Sequence, residues 1–140
     1  MASWILFALL SAFFAALVAI FVKIGVAKID STLAATIKAM VTALFLIVVS
    51  LMFGKIKLFS TIDKRAFIFI VFSGIAGALS WFFYFSALKN GPTSMVAALD
   101  KLSVVFVLIL AFLFLKEGLT WQAILGIILI SIGAILMVIK

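Results

Sequence analysis

The sequence contains neither cysteine nor histidine, and only one proline and four acidic residues among its 140 positions. Without cysteine there is no disulfide and no thiolate nucleophile. Without histidine there is no imidazole relay, and the two absences together remove Cys/His metal sites. The four acids, Asp30, Asp63, Asp100 and Glu117, are scattered, so no paired carboxylates stand ready for acid–base chemistry. No nucleophile lies beside a base, and no glycine-rich loop is built to cradle phosphate. The sequence therefore predicts no enzyme, no bound metal and no cofactor. Charge is scarce as well: 11% of residues are charged, against about 25% in soluble domains. The eleven Lys and Arg give a formal net charge of +7, but they fall in thin clusters between apolar runs. That pattern fits loop anchors facing headgroups and water, and it excludes nucleic acid as a partner.

Apolar residues supply the rest, at 69% of the chain. A globule this small has too little interior to hide that much apolar surface, so lipid must be part of its solvent. A helix needs about 20 apolar residues to cross the hydrocarbon core. Five stretches qualify, at about residues 3–22, 33–53, 66–88, 94–115 and 120–139. A barrel would need shorter, alternating segments in greater number, and no open strand can satisfy its backbone in lipid. The first stretch lacks a basic leader and is long enough to span, so it reads as a retained helix and not as a signal peptide. The expected fold is an all-α membrane protein, a bundle of five transmembrane helices forming one domain over residues 1–140.

The connections are brief. Residues 23–32 end in Asp30-Ser31-Thr32, a run of candidate N-caps. Residues 54–65 carry Lys55, Lys57, Asp63, Lys64 and Arg65. Asn90-Gly91-Pro92 stops the third helix, with Thr93 or Ser94 as a cap for the fourth, and Gly118 and Thr120 punctuate the last turn. Short loops make successive helices antiparallel neighbours. Five spans put the termini on opposite sides, and the positive-inside rule then barely discriminates. One face carries Lys55, Lys57, Lys64, Arg65 and Lys116; the other carries Lys23, Lys28, Lys89 and Lys140, joined by Lys38 and Lys101 if these reach their nearer helix ends. So even a balance permits either insertion in both orientations, with pairing of inverted copies, or a weak preference for one.

Three ionisable residues fall inside predicted spans: Lys38, Asp100 and Lys101. Each lies roughly 10 Å below its helix start at about 1.5 Å per residue. Asp100 is too short to reach the interface and needs a cationic partner or a wet cavity, and Lys38 and Lys101 enter from the same side. Two readings stand side by side. Either Asp100 and a lysine line a polar pathway that binds solute or exchanges a proton, or the lysines snorkel and Asp100 only neutralises one of them. Trp81 and Tyr84 lie one turn apart and either line a cavity or belong to an interfacial belt. Gly74 and Gly77 in the third helix, and Gly126 and Gly133 in the fifth, mark faces where another helix can come close, within the chain or between copies.

The run from Tyr84 to Leu136 resembles the EamA domain of the drug/metabolite transporter superfamily. The likeness lies in Ala87-Leu88-Lys89-Asn90-Gly91-Pro92, in Leu115-Lys116-Glu117-Gly118 and in Gly126 through Gly133. Leu99 to Ser103 and Phe21 to Gly25 are similar to a five-helix, single-domain subgroup. Val104 stands where many EamA domains have proline, so the fourth helix lacks that kink. The resemblance implies a secondary transporter in a cell (inner or plasma) membrane. Ten-helix members are built from two inverted five-helix units with the substrate cavity between them, so a lone unit implies a homodimer, parallel or antiparallel. The expected activity is alternating-access movement of a small organic solute or metabolite, with a proton as a candidate coupling ion. Asp100, Lys38, Lys101, Trp81 and Tyr84 are the site candidates. The competing expectation is a non-transporting subunit that assembles with another membrane protein.

Overall fold

A computed structural model describes residues Ser3–Ile139, so Lys140, counted above among the loop cations, lies outside the described residues. The described chain is helical and, among these residues, has no strand. Helix α1 is Ser3–Val26, α2 is Ser31–Met52, α3 is Lys64–Asn90, α4 is Thr93–Asp100, α5 is Ser103–Leu110 and α6 is Trp121–Leu136. Short 3₁₀ and π segments, Lys55–Thr61 and Ala111–Leu115, join α2 to α3 and extend α5. Among the described residues four helical stretches are long and apolar enough to cross a membrane: Ser3–Val26, Ser31–Met52, Lys64–Asn90 and Thr93–Leu115. α6 is shorter, at 16 residues. Its hydrogen bonding continues past Leu136, through Val138 N–H to Ile135 and Ile139 N–H to Ile135. The bonded run of residues 121–139 is thus about 28 Å long at the usual helical rise, close to the hydrocarbon thickness.

The caps explain where helices begin. Asp30 accepts from the amides of Thr32 (2.8 Å) and Leu33 (3.1 Å), starting α2. Asp63 accepts from Arg65 N–H at 3.1 Å and starts α3, and Thr120 accepts from Ala123 N–H at 3.2 Å and starts α6. For α4, the expected Thr93 or Ser94 cap is replaced by Pro92, whose extended backbone precedes the first turn and whose side chain bonds nothing. The left-handed residue after the fourth span is Lys116 (φ 56°), not Gly118. The wide π turn places Glu117 N–H on Ala111 O at 3.3 Å, so the chain reverses at Lys116, two residues before the glycine arrives.

The fourth span departs most from expectation. An unbroken helix over 94–115 is replaced by two helices separated at Lys101 and Leu102. There the bonds tighten: Lys101 N–H to Ala98, Leu102 to Leu99, Val104 to Lys101 and Val105 to Leu102, each reaching back three residues. Neither Pro nor Gly occupies this stretch. A mid-helix 3₁₀ turn without either often marks a hinge or a strained segment.

The chain divides into two compact units: residues up to Ile20 together with those from Asn90 onward, and Phe21–Lys89. In the former, α4 and α5 pack on α6, and Ala134 and Ala19 are buried. In the latter, Val26, Phe85 and Leu88 are the buried residues. Most large apolar side chains of the spans face outward, including Phe7, Phe14, Phe45, Phe69 and Phe83. In water that surface would drive aggregation; in a bilayer it is the lipid-facing surface.

Candidate functional site

Within Phe21–Lys89 the inward face of α3 is a stripe of Gly77, Trp81, Tyr84, Phe85 and Leu88, all half-buried or buried, spaced as one helical face requires. Opposite Trp81 stands Lys38, on the eighth residue of α2. Its Nζ lies 3.2 Å from the Trp81 ring centroid and 5.9 Å from that of Phe85. An ammonium on an indole face is attracted by the ring quadrupole, the more so where water is scarce. The side chain lies against the ring and not out at the helix end, so snorkelling does not describe it. The two carboxylates of this unit, Asp30 and Asp63, are turned onto helix N-terminal amides, so Trp81 and Phe85 supply the electrostatic stabilisation of Lys38 inside the span.

One to two turns nearer the interface, the ends of three helices are tied together. Lys23 Nζ donates to Leu88 O at 2.6 Å, and Lys89 Nζ donates to Ile29 O at 3.0 Å. The Ser31 and Ser86 hydroxyls lie 3.4 Å apart, and Ser86 also donates to Phe82 O. Lys23 and Lys89 thus neutralise carbonyls, Lys23 one at the C-terminus of α3, where the helix dipole favours cations. Asp30 lies beside this clasp, outside the spans. The amides of Leu33 and Thr32 hold its carboxyl below the usual aspartate range, with a smaller contribution from Lys89.

In the other unit, Asp100 ends α4 and pairs with Lys101 at 3.7 Å. Residues adjacent on a regular helix point about 100° apart; the pair forms at the point where the helix gives way to the 3₁₀ turn. Both side chains are well exposed, 42% for Asp100 and 59% for Lys101. Of the two lysines that sequence reasoning offered to Asp100, Lys101 is the one bonded to it, and Lys38 is held by aromatics. Phe85 was missed by sequence reading. Its signal was its spacing of four from Trp81, which places both on one face. At Gly74, Gly77, Gly126 and Gly133 no described neighbour from the same unit lies within 4 Å of where a Cβ would stand.

The family model of the EamA-like transporter family matches residues 2–139. A relative from Sinorhizobium sp, described as an uncharacterized transporter in the cobO 3' region, is 44% identical over 135 residues, covering 96% of each chain. No solved structure matches the chain.

Proposed function

Because the chain belongs to the EamA-like transporter family and is a multi-pass membrane transporter by that membership and by its apolar helices, we propose that it moves a small organic solute or metabolite across a cell membrane by alternating access. In this reading residues 1–140 are one EamA-type unit, and the working carrier is a homodimer. The observation that carries it is Lys38 on the Trp81 face, roughly 10 Å inside α2. A half-buried ammonium held by aromatic rings inside a span keeps hydrogen-bond donors free for a solute's acceptor groups, and a charge at that depth carries an insertion cost that a binding role would justify. The Asp100–Lys101 pair beside a broken helix is the second candidate, since broken helices in transporters line solute and ion sites. Asp100 is the proposed coupling group, with a proton as the ion it exchanges. The near balance of loop cations permits an antiparallel pair, which would rebuild the inverted repeat from two copies.

Uptake into vesicles reconstituted with purified protein, screened over organic solutes with and without a pH gradient, tests the reading. Lys38→Gln is expected to reduce uptake at least tenfold, and Asp100→Asn to remove its dependence on the gradient. Wild-type uptake of the best solute that both variants reproduce would refute both assignments. A protein inert in vesicles alone that co-purifies with one stoichiometric partner would favour a non-transporting subunit.

A further inference from the structure

The segment between α2 and α3 is built unlike the other connections. Gly54, in the left-handed region at φ 64°, ends α2 and turns the chain into the 3₁₀ helix Lys55–Thr61. A 3₁₀ helix has about three residues per turn, so side chains three apart stack in rows. Ile56 and Phe59 form one row, Ile62 follows just past the helix on extended backbone, and all three are exposed, Phe59 at 68%. Lys55 and Lys57 flank that row, and Lys64 and Arg65 follow in the first turn of α3. Phe59 meets Phe67 of α3 edge-on with ring centroids 6.3 Å apart, which fixes the row beside the start of that helix.

Within the described chain these cations find no acidic partner. Asp63 is the one acid of the segment, and its Oδ2 is turned onto the amides of Arg65 (3.1 Å) and Ala66 (3.4 Å). Among the described residues no carboxylate forms an ion pair with Lys55, Lys57, Lys64 or Arg65; Arg65 has only the Phe69 ring at 6.0 Å. Lys64 and Arg65 also stand at the positive end of α3, where the helix dipole disfavours cations. Four uncompensated charges in eleven residues, beside an outward apolar row at the mouth of two spans, match a surface that is anionic above and oily below.

We propose that residues 54–65 bind anionic phospholipid headgroups. Ile56, Phe59 and Ile62 enter the upper acyl region, and Lys55, Lys57, Lys64 and Arg65 lie at the level of the lipid phosphates. The inference is independent of what the protein transports.

The full-length protein carries no cysteine, so Ser60→Cys accepts one fluorophore cleanly. Reconstituted in phosphatidylcholine vesicles, it should transfer energy more strongly to acceptor-labelled phosphatidylglycerol than to acceptor-labelled phosphatidylcholine at equal density. The preference should fall about fivefold for each cation changed to Gln, and survive Lys55→Arg, Lys57→Arg and Lys64→Arg together. It should also weaken as salt is raised to about 0.5 M, a measurement that needs no variant. Equal transfer to the two lipids, or a preference indifferent both to salt and to loss of the four cations, overturns the proposal. So does a result in which removing the cations changes the mass of the assembly and leaves the lipid ratio alone, which would make the segment a contact between copies.

Discussion

Lys38 and Trp81 show how one contact decides what a residue type means. A lysine some ten ångströms inside a span is expected to snorkel, yet here its ammonium rests 3.2 Å from an indole centroid. If the ring holds the charge in place, Trp81→Leu should mimic much of the uptake loss of Lys38→Gln, and Trp81→Phe should retain part of it because phenyl is a weaker cation–π partner. Equal uptake by wild type and Trp81→Leu would reduce the contact to packing. Asp30 offers a pH test. Its carboxyl is held low by the Leu33 and Thr32 amides, so the stability it contributes is present above the ordinary aspartate pKa of about 3.9 and is lost as pH falls through the lower folded value. Asp30→Ala should therefore be less stable than wild type near neutrality in detergent melts. The gap should narrow only in acid, below about pH 4; a constant gap across that range would count against the cap.

At the scale of elements, two left-handed residues make opposite predictions. Gly54 occupies φ 64° without a Cβ, and Gly54→Ala should cost about 1–2 kcal/mol of stability. Lys116 occupies φ 56° with a side chain, so Lys116→Gly should be neutral or stabilising by up to about 1 kcal/mol. Chemical denaturation in mixed micelles, run on both variants, checks the pair. The fourth span is the less legible element. Its hydropathy predicts an apolar helical stretch of spanning length there, and Thr93–Leu115 is one, but Asp100-Lys101-Leu102 carries no breaker in its sequence to mark the break. The 3₁₀ turn depends on how the backbone is packed, which a local pattern does not encode. The caps at Asp30 and Thr120 were legible because a capping side chain bonds amides two or three residues away.

For the whole molecule, the glycines of α6 offer a test of the proposed pairing. Gly126 and Gly133 have no described atom within 4 Å of a Cβ position, so Gly126→Leu or Gly133→Leu should leave the single chain folded. If these glycines seat a second copy, each change should shift the assembly from dimer to monomer, read by mass in detergent. An unchanged mass would remove α6 from the interface. Reporters fused to both termini then separate parallel from antiparallel pairing: mixed orientation supports the inverted pair, and one uniform orientation excludes it.

Hydropathy, span length and capping are local, and in lipid the backbone has no choice but to bond within its own helix. For that reason the membrane class, the positions of the spans and most helix starts were decided by the order of residues alone. Which charge meets which partner was not. Lys38 and Trp81 are 43 positions apart in sequence, and their meeting depends on the rotation and register of α2 against α3. Lys101 reaches Asp100 only because α4 stops where it does. Those are properties of packed helices, set by which faces turn inward, and only the folded chain decided them.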